Sequence, residues 1–243
     1  MHQLTCHPTP QNKAQIEAIL SQNGALAITQ TGTSLTAIFT EPPKQLTLPI
    51  PHTWQELQAS DWQYTDARDI AGLQVQCPNT VFGNLDHPTT RLCLQMLETV
   101  LVEHPKPETL SVVDIGSGSG ILSLVAWTYG VRQIVGLDID PEATACALGN
   151  AKQNQISGID FITQDLHQWQ PESAIDLLIA NIPGEHLLPF LSVLSESDKM
   201  NGAILSGIST ANLALVQPMI ESLDFNIEQI ELEGWYGWIL SKT

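Results

Sequence analysis

Basic residues are scarce in this chain: 9 Lys and Arg stand against 26 Asp and Glu, a formal net charge of −17. A field of that sign repels phosphate backbones and disfavours direct nucleic-acid binding, while it attracts a basic protein. Solubility alone is the plainer reason for the acidity. Cysteine is scarce too. Cys6, Cys77, Cys93 and Cys146 form no CxxC pair, so no zinc or other metal site is expected, and their scatter through 243 residues suits a reducing cytosol. His2, Cys6 and His7 have the residue types of metal ligands, but a strand-forming N-terminus accounts for them as well. No apolar run is long enough to span a bilayer. The opening Met1 to Pro8 has neither the basic region nor the apolar stretch of a signal peptide. A cytoplasmic protein, monomeric and away from membranes, is therefore expected. Internal repeats and low-complexity tracts are missing, and the 43% hydrophobic content is ordinary for a globular protein.

What is present divides in two. Residues 1–65 read as a small α+β unit. His2 to Cys6 is a candidate strand, and Gln11 to Gln22 has Ala14, Ile16, Ala18, Ile19 and Leu20 at helical spacing before the Asn23-Gly24 stop. Ala25 to Thr29 and Leu35 to Thr40 read as strands, and Trp54 to Trp62 as a second short helix. The resulting β-α-β-β-α order points to a ferredoxin-like half. Residues 66–88 read as a linker with one strand, Leu73 to Cys77. Residues 89–243 change character. Thr89 or Thr90 can cap a helix to Val102, and from Leu110 strands and helices alternate, which predicts a mostly parallel sheet covered on both faces. Pro218 is expected to kink the helix Ala211 to Leu223. Phe225 to Leu232 and Trp235 to Ser241, joined by Glu233-Gly234, form a hairpin expected as an antiparallel edge.

The chemistry concentrates where the strand Leu110 to Ile115 runs into Gly116-Ser117-Gly118-Ser119-Gly120 and then a helix. Three glycines allow a tight turn and close approach to a ligand, and the helix start favours a negative group. A dinucleotide site wants G-x-G-x-x-G, but here the third glycine comes one residue early and Ile121 occupies its place. Asp114 would repel a pyrophosphate and attract an amino group. S-adenosyl-L-methionine (SAM) has that amino group, a carboxylate and no phosphate. Asp138 ends the next strand some twenty residues on, the spacing that sets a carboxylate on ribose hydroxyls, with Ile139 beside it. Asp140, before Pro141, reads as a helix cap instead. Asp165, after the third strand, is placed to reach an adenine amino group. Asn181 ends the fourth strand, where an amide carbonyl can accept from a substrate amine; a plain turn is the alternative.

Several motifs together resemble the ribosomal protein L-eleven methyltransferases (PrmA). They are Val81 to Leu94, with Asp86-His87-Pro88-Thr89-Thr90 at its centre, then Asp114 to Ile121, Gly136 to Pro141, Leu178 to Ile182, Leu205 to Ile208 and Glu233 to Trp235. They cover roughly the last two thirds of the chain, in the family's order. The resemblance implies an α/β fold: a Rossmann-like, seven-stranded SAM-dependent methyltransferase domain behind a small ferredoxin-like, substrate-recognising one. It implies methyl transfer from S-adenosyl-L-methionine to lysine side chains or an N-terminal amine of a ribosomal protein, with SAM contacts at Thr90, Gly116, Asp138 and Asn181. Ser117, Gly118 and Gly120 complete the expected cofactor loop, and Asn181 and His87 are the candidates for handling the amine, although a structural histidine before Pro88 is an equal reading. The family's Phe-Gly-Thr-Gly is Phe82-Gly83-Asn84-Leu85 here, and its Leu and Ala after the Asn181 motif are Pro183 and Gly184. Methylation of another protein or small amine, and a SAM-binding module without turnover, are the alternatives those departures leave open.

Overall fold

The computed structural model describes residues 2–56 and 68–242, apart from 24, 26, 32, 40, 41, 71, 79, 103, 170, 172 and 196–198. The chain divides into two compact units, Met1–Gln63 and Tyr64–Thr243.

The small unit is an antiparallel sheet of β1 (His2–Cys6), β2 (Ala27–Thr31), β3 (Ser34–Phe39) and β4 (His52–Glu56), in the order β2-β3-β1-β4, with helix α1 (Lys13–Gln22). Leu4, Cys6, Leu35, Ala37 and Leu48 bury against Ile16 and Leu20 of α1. The second helix expected over 54–62 is replaced, in its described part, by β4; residues 57–62 lie outside the described residues. The reason is non-local. Leu4 pairs with Trp54 and Cys6 with His52, a ladder to β1 that a local pattern does not reveal.

The large unit opens with a two-stranded hairpin, β5 (Arg68–Ile70) and β6 (Leu73–Val75), so this part of the expected linker is structured. Helix α2 (Pro88–Val102) follows, starting one residue before the expected caps Thr89 and Thr90 because Pro88 takes the first helical turn. Then come β7 (Ser111–Ile115), α3 (Ile121–Thr128), β8 (Gln133–Asp138), α4 (Pro141–Gln153), β9 (Ile159–Thr163), β10 (Leu177–Asn181), α5 (Gly184–Ser195), β11 (Gly202–Ser209), α6 (Thr210–Glu221), β12 (Asn226–Leu232) and β13 (Trp235–Ser241). Asp140 caps α4 as expected, its side chain accepting from Glu142 N. Pro218 lies inside α6, and Pro189 inside α5.

The seven strands order as β12-β13-β11-β10-β7-β8-β9. All run parallel except β13, which is antiparallel to both β11 and β12. The antiparallel member is thus not the edge, as the hairpin alone implied: β13 inserts between β11 and β12. Trp238 and Leu240 of β13 are fully or almost fully buried, which an edge strand would not achieve. Glu233 and Gly234 turn the hairpin with φ of 54° and 79°, the two positive values of a type I′ turn. Buried apolar side chains form a separate cluster on each face of the sheet. Val112 joins Leu92, Met96, Leu97 and Leu124 on one face; Val113 and Ile115 join Leu187, Phe190, Val216 and Ile220 on the other. Strand order reverses at β7 and β10, so the carboxyl ends of these two neighbours form the crevice where open α/β sheets bind ligands.

Candidate functional site

Strand β7 delivers the chain into the glycine loop, and the loop is laced to β8. Gly116 N and Ser117 N donate to Leu137 O at 2.8 and 2.9 Å, and Gly118 N donates to Asp138 Oδ2 at 2.9 Å. Gly116, Gly118 and Gly120 all have positive φ. At Gly118 the requirement is double: its φ of 54° is left-handed, and an added Cβ would strike the carbonyl oxygen of Phe82. That carbonyl accepts from Ser119 N at 2.8 Å, while Ser119 Oγ donates to Gly83 O at 2.9 Å. The segment ahead of α2 therefore lies directly on the loop.

Asp114, next to last in β7, is 0% exposed. Ser123 of α3 donates to its Oδ2 at 2.7 Å. Burial pushes its carboxyl up to about 6, against the pull of the Ser123 hydrogen bond. Asp138 is half-buried, with Oδ1 accepting from Asp140 N at 3.0 Å and Oδ2 from Gly118. Burial raises its carboxyl too. Each of its oxygens has a further lone pair for a hydroxyl donor. Ile139 is 68% exposed, an apolar side chain presented to solvent at the carboxyl edge. Asp165 stands in the loop after β9, where its backbone carbonyl accepts from Gln168 N in a 3-10 turn and its carboxylate from Gln168 Nε2 at 3.4 Å.

Among the described residues, five buried side-chain oxygens have no hydrogen-bond partner: Thr80 Oγ1, Thr90 Oγ1, Asp114 Oδ1, Ser117 Oγ and Asn181 Oδ1. Four of the five belong to the expected site. An unpaired buried polar atom costs about 1–3 kcal/mol, so such atoms mark strain, unseen water or an intended ligand. Three of the four sit at the switch point: Asp114 and Ser117 on β7 and its loop, Asn181 at the end of neighbouring β10, where Ala180 pairs with Ile115. Thr90 lies in the first turn of α2, one turn before Cys93, whose thiol is raised by burial and then by the Asp114 charge. Asn181 is fixed by its surroundings. Gly207, with φ of 93° at a bulge in β11, lets Ile182 O approach so closely that a Cβ there would overlap it. Gly184 packs likewise: a Cβ there would come within 3.3 Å of Ile208 and Val216.

His87 sits in an aromatic cluster, its ring 5.0 Å from that of Phe82 and 4.9 Å from that of Trp235. Burial first, and the nearby Arg91 second, lower its pKa to about 4, so the ring is neutral near pH 7. Its Nδ1 accepts from Thr89 N at 3.3 Å and lies 2.8 Å from Thr89 Oγ1, which makes His87 the cap of α2. Asn84 and Leu85 also have structural tasks. Asn84 Oδ1 accepts from Asp86 N and His87 N at 2.7 and 3.2 Å, an Asx turn, and Leu85 packs against the core with no positive φ. Sequence reasoning named Ser119, Phe82 and Trp235 within motifs without giving them tasks, and missed Ser123. For Ser123 a signal existed: a buried Asp114 needs a donor, and the first turns of the following helix are the nearest source.

The donor and acceptor set fits S-adenosyl-L-methionine. Asp114 has the charge an ammonium would need, Asp138 has lone pairs that hydroxyls could use, Ile139 has an exposed apolar surface, and the orphan oxygens can take N–H or O–H donors.

The family described as "Ribosomal protein L11 methyltransferase (PrmA)" matches residues 62–243. A ribosomal protein L11 methyltransferase of Pseudoalteromonas atlantica is 31% identical over 82% of this chain and 73% of its own length. One from Dictyoglomus thermophilum is 34% identical over 72% of this chain and 56% of its own. The chain thus spans between about half and three quarters of these relatives. The crystal structure of a ribosomal protein L11 methylase from Lactobacillus delbrueckii subsp. bulgaricus superposes with a TM-score of 0.59 at 30% identity, over 67% of this chain and 81% of that one. With the family match running through the whole of the seven-stranded sheet and its glycine loop, this chain belongs to the ribosomal protein L11 methyltransferase (PrmA) family.

Proposed function

We propose that this chain transfers methyl groups from S-adenosyl-L-methionine to amines of ribosomal protein L11, on lysine side chains or the N-terminus. The observation that carries the reading is the set of unpartnered oxygens on Asp114, Ser117 and Asn181 at the carboxyl edge of the sheet, with a fourth on Thr90 in the first turn of α2. In this reading Asp114 is the countercharge of the cofactor's ammonium, Asp138 holds the ribose hydroxyls, Ile139 flanks the adenine and Asp165 takes its amino group. Gly116, Ser117, Gly118 and Gly120 present their backbone to the methionine portion, and Thr90 closes over it.

The cofactor supplies a methyl group already activated on a sulfonium, so the protein's task is positioning. Asn181 Oδ1 accepts an N–H from the incoming amine and aims its lone pair. The amine must arrive neutral, and removal from water lowers its pKa toward that state. His87 is a poor base for this step, because its ring is held near a pKa of about 4 and Nδ1 is engaged at the helix cap. We assign it to shaping the pocket with Phe82 and Trp235.

The net charge of −17 favours a basic protein substrate over nucleic acid. Among the described residues no helix is long and apolar enough to cross a membrane. We take the chain to be a cytoplasmic monomer acting on a basic ribosomal protein. Incubation with tritiated SAM and purified ribosomal protein L11 tests the proposal: label in the protein's amines is expected from the native chain. Native chain that binds SAM yet leaves L11 unlabelled, while labelling another protein in a lysate, would overturn the substrate. Absence of label in every protein would leave a binding module.

A further inference from the structure

Helix α4 and its C-terminal cap present two asparagines, Asn150 and Asn154, to the stretch Gln74 to Gln76. Asn150 Oδ1 accepts from Gln76 N at 2.9 Å, and Asn150 Nδ2 donates to Gln76 O at 2.8 Å. One turn later Asn154 repeats the pattern, accepting from Gln74 N and donating to Gln74 O, both at 2.7 Å. The repeats coincide for a geometric reason. Four helical residues rise about 6 Å and two strand residues about 6.7 Å, so amides at i and i+4 can grip alternate residues of a strand. The pair serves Gln74 of β6 and Gln76 just beyond it as a substitute neighbouring strand.

Asn150 does one thing that Asn154 does not. Its second Nδ2 hydrogen goes to Ser119 O at 2.8 Å, inside the glycine loop. Ser119 is flanked by Gly118 and Gly120, whose backbones have little preference of their own. Its peptide orientation is therefore set from outside: Phe82 O takes its N–H, Gly83 O takes its hydroxyl, and Asn150 supplies a donor to its carbonyl. Asn150 is 2% exposed, so these bonds face little competition from water.

We infer that Asn150 is a positioning residue for the cofactor loop, holding the Ser119 peptide and tying it to the Gln74–Gln76 stretch. The inference rests on the glycine loop being the SAM site. Asn154 holds the stretch alone and does not reach the loop.

The paired variants Asn150→Asp and Asn154→Asp separate positioning from general stability. Each keeps the acceptor oxygen and its size and loses the donor. Asn150→Asp turns an acceptor toward Ser119 O and Gln76 O; Asn154→Asp does so only toward Gln74 O and Asn150 O. Calorimetry with S-adenosylhomocysteine should show roughly tenfold weaker binding for Asn150→Asp and a change within about twofold for Asn154→Asp, at comparable losses of melting temperature. Equal weakening in both, or unchanged affinity in Asn150→Asp, overturns the inference. Should Asn150→Asp fail to fold, hydrogen exchange on the native chain decides: ligand binding should slow the Gln74 and Gln76 amides along with residues 116–120. Protection of the loop with unchanged exchange at Gln74 and Gln76 overturns the coupling. A native chain that takes up no S-adenosylhomocysteine overturns the reading of the site itself, a result distinct from either.

Discussion

The two edges of the central sheet treat their aspartates in opposite ways. At the carboxyl edge Asp114 is fully buried, has one oxygen without a partner, and is pushed by burial to a pKa of about 6. At the amino edge Asp176, just before β10, is half-buried and has a donor on each oxygen. Ser111 N and Ser111 Oγ both donate to its Oδ2 at 2.9 Å, and Asn201 Nδ2 donates to Oδ1 at 3.0 Å. Burial raises that carboxyl, but the Ser111 and Asn201 hydrogen bonds, with His104 nearby, outweigh it and hold it below the ordinary value. One carboxylate ties β7 to the strand beside it. The other is left costly and incompletely paired at the edge where a ligand would complete it, and unsatisfied polarity of this kind is tolerated where function needs it.

The largest expected effect is at Asp114. Asp114→Asn removes a charged acceptor and should weaken SAM binding roughly ten- to hundredfold, read by calorimetry. The same change should not lower stability above pH 6. A carboxyl whose folded pKa is raised contributes stability below its unfolded value near 3.8 and loses it as pH rises through about 6. Thermal melts at pH 8 should therefore find the variant as stable as the native chain or more so, an advantage that vanishes below about pH 4. A less stable Asp114→Asn at pH 8 would break the contrast with Asp176.

Asp176→Asn should do the reverse. It should cost about 1 kcal/mol of stability, after discount for solvent screening, and leave SAM affinity unchanged. Its lowered pKa places that contribution above pH 3.8, to be lost as pH falls through the folded value. Denaturant titration at pH 7 and pH 3 checks both the size and the sign. His87→Ala should cost a similar ~1 kcal/mol through loss of the α2 cap. The native kcat profile should show no His87 ionisation near pH 6.5, since its ring titrates near 4. The smallest effect belongs to Arg91→Ala. It breaks an exposed 2.8 Å ion pair with Glu233 and should change stability by less than ~0.5 kcal/mol.

The carboxyl edge was the more legible of the two. Asp114 near the end of one strand, the three glycines after it and Asp138 at the end of the next strand stand in a fixed order, because the loop must turn tightly and the next strand must end beside it. The alternation of apolar segments likewise foretold a parallel sheet with helices on both faces. What stayed hidden depends on distant partners. Trp54 lies in a strand because of β1, β13 lies inside the sheet because Trp238 and Leu240 bury there, and Asn150 reaches Ser119 across 31 residues with no periodicity to announce it. His87 was ambiguous for a related reason: its types of neighbour are in the sequence, but its place between two rings and over a helix start is not.

The most direct test of the contrast is a crystal structure with S-adenosylhomocysteine bound. The expected result places ligand donors within hydrogen-bond distance of Asp114 Oδ1 and Asp138, with Asp176 and its partners unmoved. A ligand bound elsewhere, or one that leaves both carboxylates as they stand now, would contradict it.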